Sequence, residues 1–198
     1  MTSISYKIYK TIRMITAPIG EIVDLVSYNS DILDIGGGRG VIAEEIKRSK
    51  GYKSYTIVDI DEKRLIEVKK RLNNIETYHG DALNIVKEFL KINNLFDTII
   101  ISDLLYLCEN GYTEALILKC FDLLKKDGAL IIKEVNWNIL IRFQELLSVK
   151  ILKFTKGNDI YFRDVEHYEK ILKKHNMNFA ILKFNRLWYP HFIITIKK

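Results

Sequence analysis

Short apolar runs alternate with amphipathic segments between residues 30 and 135, and this alternation constrains the fold more than any other feature. The runs that predict strands are Asp31–Ile35, Tyr55–Val58, Glu76–His79, Phe96–Ser102 and Ala129–Lys133. The helical patterns between them cover residues 41–50, 62–72, 81–90 and 113–126. Strands separated by helices pair in parallel through right-handed crossovers. The pattern therefore predicts a doubly wound α/β protein whose parallel sheet is covered on both faces.

The two ends of the chain do not follow this alternation of strands and helices. One helical stripe near the N-terminus is made of Ile4, Ile8, Ile12, Ile15, Ile19 and Ile22. Pro18 predicts a break into two helices, because the residue before a proline avoids the helical region. We expect residues 1–29 to form a helical lid over a ligand-binding core at residues 30–135, in preference to a membrane helix.

Residues 136–198 are expected to complete a single domain of 198 residues. They begin with an aromatic-rich insertion from Trp137 to Phe162, predicted as a helix followed by a hairpin. Asp164 then caps a helix that runs to Lys174, and strands are predicted at 179–184 and 191–197. The short connection between these two strands forces them to be antiparallel.

A glycine-rich loop follows the first predicted strand. It reads Asp34-Ile-Gly36-Gly37-Gly38-Arg-Gly40, and a helix begins directly after it. A strand, a glycine loop and a helix bring the backbone close to a ligand at the helix N-terminus. Dinucleotide binding needs a third small residue where this chain has Val41, and no Gly-Lys-Ser/Thr follows for a P-loop. The loop therefore predicts a ligand other than a dinucleotide or a nucleoside triphosphate.

The residues Leu33 to Gly40 resemble the first motif of the class I S-adenosylmethionine-dependent methyltransferases. Three later landmarks agree in order and spacing: Asp59 after the second strand, Gly80-Asp81-Ala82 after the third, and Phe96 to Tyr106 around the fourth. The segment Leu123 to Glu134 also resembles the turn and fifth strand of that family. The resemblance covers residues 30–135 closely and the remainder more loosely.

This resemblance implies a seven-stranded sheet of order 3-2-1-4-5-7-6, whose last strand is antiparallel, with S-adenosylmethionine as the cofactor. Asp59 is implied to bind the ribose hydroxyls, and Asp81 to accept from the adenine amino group. The full set of implied cofactor-binding residues is Asp34, Gly36, Gly37, Gly38, Gly40, Asp59, Ile60, Asp81, Ala82, Ser102 and Asp103. Methyl transfer is expected as an in-line displacement, so catalysis depends mainly on position. No cluster with metal-ligand spacing is present, and no metal is expected.

The acceptor is expected at the carboxyl edge of the strands, where open α/β sheets bind ligands. The candidate catalytic residues at this edge are Asp103, Tyr106, Glu134 and His191, with Trp188 and Tyr189 beside them. His191 is a candidate base, and Glu134 a candidate base or acceptor anchor. The sequence favours a small-molecule or lipid-like acceptor, which the aromatic residues of the insertion would cover.

The distribution of charge leaves an RNA or protein acceptor as an open alternative. The net charge is +6, and residues 150–198 hold 11 of the 31 basic residues but only 4 of the 25 acidic ones. An RNA or protein methyltransferase that uses this basic quarter is therefore the first alternative. A non-catalytic cofactor-binding partner subunit is the second. The longest run free of charged residues is too short for a membrane span, and the two cysteines lack CxxC spacing. A cytoplasmic location is expected; nothing in the sequence predicts the oligomeric state.

Overall fold

Seven strands run through the part of the chain that the computed structural model describes, residues 4–136, 160–161, 163–186 and 189–198. They are β1 (Asp31–Ile35), β2 (Ser54–Asp59), β3 (Glu76–His79), β4 (Phe96–Ser102), β5 (Leu124–Val135), β6 (Asn178–Arg186) and β7 (Tyr189–Lys197). The helices are α1 (Ile4–Thr16), α2 (Ile19–Leu25), α3 (Val41–Ser49), α4 (Glu62–Arg71), α5 (Ala82–Lys91), α6 (Asn110–Asp122) and α7 (Val165–Lys174), with a 3₁₀ turn at Leu105–Leu107.

The strands form one sheet in the order β3-β2-β1-β4-β5-β7-β6, which confirms the predicted order. Strands β1 to β5 are parallel to one another, and β7 is antiparallel to both β5 and β6. The run Ile99–Ile101 lies in the middle of the sheet and is fully buried. Apolar side chains cover the sheet on both faces, as a parallel sheet requires.

Strand β5 begins earlier than its apolar run suggests. The backbone of Leu124 pairs with Phe96, and the register then shifts so that Ala129 pairs with Thr98. The residues between them form an irregularity in which Asp127 has a positive φ of 64°. For this reason α6 ends at Asp122, four residues before the predicted end of that helix.

The break at Pro18 is confirmed, since α1 ends at Thr16 and α2 begins at Ile19. The isoleucine stripe, however, does not lie against the protein along its whole length. Ile19 and Ile22 of α2 are buried, whereas the four isoleucines of α1 are exposed. In α1 the side that packs on the protein is the polar one, so the stripe does not face the ligand-binding core as predicted.

Part of the predicted C-terminal architecture lies outside the described residues. This applies to residues 137–159, which hold most of the predicted aromatic insertion, to Phe162, to Trp188 and to the side chain of Tyr189. The helix predicted after Asp164 is present as α7, and Asp164 accepts a hydrogen bond from the backbone N–H of His167. None of the helices within the described ranges is long and apolar enough to cross a membrane.

Candidate active site

A cleft of about 420 Å³ opens at the carboxyl ends of the parallel strands. The predicted site residues that line it are Gly36, Asp59, Ile60, Asp81, Ala82, Asp103 and Tyr106. The other predicted site residues are not among its lining residues: Asp34, Gly37, Gly38, Gly40, Ser102, Glu134 and His191. The structure thus brings half of the predicted set together on the lining of the cleft.

The glycine loop between β1 and α3 closes one end of the cleft. Gly36 has a φ of 73° and donates its backbone N–H to the Val58 carbonyl at 2.7 Å. Gly37 packs against the carboxylate of Asp34, and a Cβ at this position would lie 2.6 Å from Asp34 Oδ2. A left-handed φ at Gly36 and a close approach at Gly37 are both conditions that glycine alone meets readily.

The side chain of Asp34 packs against the glycine loop at Gly37. It is 1% exposed, and its Oδ2 accepts a hydrogen bond from the Tyr55 hydroxyl at 2.9 Å. Burial raises the pKa of Asp34 to about 7. The side chain therefore stabilises the fold of the loop from behind the cleft.

Asp59, at the end of β2, joins the glycine loop to the start of α4. Its Oδ2 accepts from the backbone N–H of Gly38 at 2.8 Å, and its Oδ1 accepts from the N–H of Asp61 at 2.7 Å. Each carboxylate oxygen can accept more than one hydrogen bond. Asp59 is thus fixed in place by the backbone while its remaining acceptor capacity is directed at the cleft that it lines.

Asp81 caps α5 and is also held by a residue that the sequence analysis did not identify. Its Oδ1 accepts from the backbone N–H of Asn84 at 3.0 Å. The hydroxyl of Tyr112, on α6, donates to Asp81 Oδ2 at 2.7 Å and accepts from the N–H of Leu83 at 3.1 Å. Tyr112 lines the cleft as well. No local motif marks it, because it lies 31 residues away from Asp81 in the sequence.

Asp103 follows β4 in a left-handed conformation, with a φ of 53°, and lies between two cations. Lys133 donates to its Oδ1 at 2.5 Å, and Arg13 of α1 donates to its Oδ2 at 2.6 Å. Burial opposes the charged form of Asp103, but the charges of Lys133 and Arg13 outweigh that effect and hold its pKa well below the usual range. Asp103 is therefore an ionised, charge-compensated side chain and a poor proton acceptor.

Glu134 holds the backbone that follows Asp103. It is 1% exposed, and its Oε1 accepts from the N–H groups of Leu104 at 3.1 Å and Leu105 at 2.7 Å. Its Oε2 has no hydrogen-bond partner within the described part of the chain. Burial and the charge of Asp103 raise the pKa of Glu134 to about 8.

Arg163 holds the same segment from the other side and was also missed by the sequence analysis. Its guanidinium donates to the carbonyls of Leu105 and Cys108 and to the side chain of Asn110. Arg163 is buried, and no sequence pattern around it predicts these contacts. With Glu134, it fixes the segment 104–109, which lines one wall of the cleft and which we call the acceptor wall.

His191 lies beside this network, in β7, paired in register with Val135. Its Nε2 is 2.7 Å from the carbonyl oxygen of Thr16, at the end of α1. Burial and the charge of Lys133 lower the pKa of His191 to about 4. His191 is therefore neutral at physiological pH and donates to Thr16. Within the described residues, no group of three or more His, Cys, Asp or Glu could hold a metal ion.

Comparisons with known proteins agree with this geometry. Residues 32–128 match the family model of a methyltransferase domain. The structure of a SAM-dependent methyltransferase from Archaeoglobus fulgidus is similar, with a TM-score of 0.72 and 17% identity, over 99% of this chain and 100% of that one. No curated protein matches the sequence significantly.

Two further solved structures are similar to the chain. One is a SAM-dependent methyltransferase from Thermotoga maritima, described as a possible histamine N-methyltransferase, with a TM-score of 0.70 and 17% identity, over 98% of this chain and 95% of that one. The other is magnesium protoporphyrin IX methyltransferase from Synechocystis PCC 6803 with bound SAH, with a TM-score of 0.67 and 17% identity, over 91% of this chain and 81% of that one.

Proposed function

Because the chain is a class I S-adenosylmethionine-dependent methyltransferase, we propose that it methylates a small-molecule acceptor bound in the cleft beside the acceptor wall. When bound, S-adenosylmethionine supplies a methyl group on a positively charged sulfur, which is already a strong electrophile. The chain's own residues then contribute mainly by holding the reactants in line and by excluding water.

The cofactor fits the end of the cleft formed by Gly36, Asp59 and Asp81. A volume of about 420 Å³ is within the range of small-molecule sites. We assign the ribose hydroxyls to Asp59, since a carboxylate can only accept hydrogen bonds and this one keeps acceptor capacity after its two backbone contacts. Asp81 accepts from the adenine amino group, between the apolar side chains of Ile60 and Ala82.

Other predicted cofactor ligands are assigned supporting roles. Asp34 and Gly37 pack against each other below the loop, and the Gly38 N–H holds Asp59. Gly40 caps α3 in a left-handed conformation. Ser102 ends β4 outside the lining of the cleft, and its buried hydroxyl lacks a partner among the described residues, so its contact with the cofactor stays a prediction.

The charge of the cleft favours a neutral or cationic acceptor over RNA. Five acidic residues line the cleft, Asp59, Asp61, Asp81, Asp103 and Glu109, against one basic residue, Arg64. Asp59 and Asp81 are assigned to the cofactor and Asp103 is compensated by Lys133 and Arg13, but the acceptor wall itself carries Glu109 and no basic residue that could bind an RNA phosphate. The remaining wall is apolar or aromatic, which suits an aromatic or lipid-like small molecule.

The catalytic roles are distributed differently from the prediction. Of the four predicted residues, Asp103 and Tyr106 line the cleft, and we assign Tyr106 to contact the acceptor. Glu134 is a positioning residue, because its Oε1 accepts from two backbone N–H groups of the acceptor wall. His191 has a similar supporting role, toward the end of α1.

The observation that carries this proposal is the fixed position of Asp59, and its replacement tests it. The loss of a charged acceptor costs about 1.5–3 kcal/mol. Asp59→Ala should therefore weaken binding of S-adenosylhomocysteine at least tenfold by calorimetry, while Asp122→Ala, an exposed acid on α6, should not change it. An unchanged dissociation constant for Asp59→Ala would remove the ribose assignment.

The acceptor class is tested separately. The purified protein is incubated with S-adenosylmethionine labelled in its methyl group and with cell extract divided into small-molecule, RNA and protein fractions. Label is expected in the small-molecule fraction. Label in the RNA or protein fraction alone would overturn the proposed acceptor class.

A further inference from the structure

Helix α1 packs on the protein through its polar side, unlike an ordinary surface helix. The side that faces the protein carries Tyr6, Lys10 and Arg13. Tyr6 and Lys10 donate to Glu44, and Arg13 donates to Asp103, so the contact is made of hydrogen bonds and ion pairs. A surface helix normally buries its apolar side and exposes its polar one.

The apolar side of α1 is exposed instead. Ile4, Ile8, Ile12 and Ile15 are 77%, 57%, 53% and 53% exposed. Residues spaced by three and four lie on one face of a helix, so these four form one continuous surface, which we call the isoleucine face. A contiguous exposed apolar surface generally marks an interaction site.

The charge of α1 indicates the kind of partner. The helix has three basic residues, Lys7, Lys10 and Arg13, and no acidic residue. Lys10 and Arg13 are paired with acids of the protein, whereas Lys7 is exposed next to Ile8. An apolar face flanked by an exposed cation is typical of helices that lie in the interface of an anionic membrane.

We propose that the isoleucine face of α1 docks on the surface of an anionic lipid membrane. The helix would lie flat, with its four isoleucines inserted among the lipids and Lys7 at the level of the headgroups. At 13 residues, α1 is about 20 Å long, far short of a membrane span but sufficient for such a contact.

A second copy of the chain is a poorer occupant for this face. Four isoleucines exposed to this extent present on the order of 400 Å², about half of the ~800 Å² that each partner buries in a stable protein pair. Two copies with a net charge of +6 each would also repel one another. A membrane surface does not require a larger contact area than the four isoleucines offer, and an anionic one attracts a chain with a net charge of +6.

The isoleucine face and the cleft are connected through α1 itself. Arg13, on the opposite side of the same helix, is 2.6 Å from Asp103, which lines the cleft. Docking of α1 would therefore hold the cleft near the lipid surface. An acceptor dissolved in the membrane would then have a short path to the acceptor wall.

Flotation of the full chain with lipid vesicles tests the proposal. The wild type should bind vesicles of equal parts phosphatidylglycerol and phosphatidylcholine, and bind pure phosphatidylcholine vesicles more weakly. The double variant Ile8→Ser/Ile12→Ser should lose at least tenfold in affinity for the mixed vesicles. Lys7→Gln should lose about fivefold, as expected from about 1 kcal/mol per basic residue near an anionic surface.

A matched control and two further measurements make the test decisive. Ile66→Ser/Ile92→Ser replaces two exposed isoleucines outside α1 and should bind like the wild type. Equal binding by the Ile8/Ile12 variant, or no binding by the wild type, overturns the proposal. So does a wild-type dimer in light scattering that this variant abolishes, because the partner is then a second copy.

Thermal unfolding separates a docking role from a structural one. The Ile8/Ile12 variant should melt within about 2 °C of the wild type, since substitutions of exposed residues have small effects. A larger loss would show that the chain itself covers this face, against the proposal. Stabilisation by S-adenosylhomocysteine should persist in the variant, so a failure of membrane docking is distinguishable from a failure of the proposed function.

Discussion

The two sides of the cleft are built in different ways. On the cofactor side, several contacts are local: Asp59 accepts from the N–H of Asp61, and Asp81 caps its own helix, although the Asp59–Gly38 contact spans 21 residues. On the acceptor side, the contacts join distant segments, such as Arg13 to Asp103 and Arg163 to Leu105. The cofactor side therefore lies mostly within or next to recognisable sequence motifs, whereas the longest contacts of the acceptor side span 58 and 90 residues.

The two sides also differ in their charges. The acceptor side buries cations as well as an acid, Lys133, Glu134 and Arg163, each 5% exposed or less, whereas the cofactor side buries the acids Asp34 and Asp59. Buried charges are tolerated only when they are paired or hydrogen-bonded, so each depends on its partners. We expect the acceptor side to be more sensitive to the loss of single charges, and the cofactor side to changes in backbone packing.

The largest effect is expected at Lys133. Lys133→Met leaves the buried carboxylate of Asp103 with one cation fewer, and the loss of one partner from a buried pair should lower the free energy of unfolding by about 3 kcal/mol. Lys125→Met is the matched control, because Lys125 pairs with Asp31 and Asp97 at a partly exposed site. There the loss should be about 1 kcal/mol or less. Equal losses in urea unfolding would contradict the distinction.

A smaller effect is expected on the cofactor side, at Gly37. A methyl group there would lie 2.6 Å from Asp34 Oδ2 and 3.0 Å from the side chain of Ile57, both in the interior. Gly37→Ala should therefore destabilise the protein by about 2 kcal/mol in denaturant unfolding. Gly20→Ala, in α2, has no atom within 4 Å of the new methyl and should be neutral or stabilising. Neutral behaviour at Gly37 would show that the loop is loosely packed.

The pH dependence of stability should distinguish Glu134 from Asp34. Their pKa values are raised to about 8 and about 7, so the folded protein retains protons that the unfolded chain, with carboxyl pKa values near ~4, has already lost. The contribution of Glu134 is full below ~pH 4 and falls as the pH rises to about 8. The pKa of His191 is lowered to about 4. Its contribution to stability is therefore full above ~pH 6.5 and is lost as the pH falls below that value.

Glu134 therefore dominates this group of three between pH 7 and 8. The wild type should lose about 1 kcal/mol of unfolding free energy over that interval, and Glu134→Gln should not. Asp34→Asn is the control and should retain the loss. Urea unfolding at the two pH values measures both, and a wild type whose stability rises over this interval would rule out a raised pKa for Glu134.

The smallest effect is expected at Tyr112, where the two sides meet. Tyr112→Phe removes the hydrogen bonds to Asp81 and from Leu83, in a partly exposed position. The loss should be about 0.5–1 kcal/mol, or two- to fivefold in the affinity for S-adenosylhomocysteine by calorimetry. Tyr28→Phe, at an exposed tyrosine remote from the cleft, should leave the affinity unchanged. An unchanged affinity for Tyr112→Phe would remove its role in positioning Asp81.

The same distinction explains what the sequence could predict. Strands β1, β3 and β4 have the predicted bounds because each is a run of strand-forming residues that turn residues terminate. Asp59 and Asp81 line the cleft, because the first ends a strand and the second closely follows one at the carboxyl edge of the sheet. Asp34 is predicted as a cofactor ligand from its motif, which does not show that its side chain is buried and bonded to Tyr55.

Other features depended on tertiary packing and could not be derived. Arg13, Tyr112 and Arg163 act on segments 31 to 90 residues away, and nothing near them in the sequence specifies those contacts. The isoleucine stripe predicted an amphipathic helix correctly, but periodicity does not determine which side of a helix faces the protein. In α1 the acids at Glu44, Glu45 and Asp103 decide this, and they select the polar side.

The position of β7 between β5 and β6 imposes an order on folding. As the chain leaves the ribosome, β6 emerges before β7, yet among the described strands of the sheet it pairs only with β7. Until β7 is made, β5 has a free edge and β6 has no strand to join, so both are exposed to wrong pairing with other chains. The β6–β7 hairpin forms through local contacts and can then dock on β5 as one unit. A nascent chain that stalls before residue 189 should therefore need the help of a chaperone.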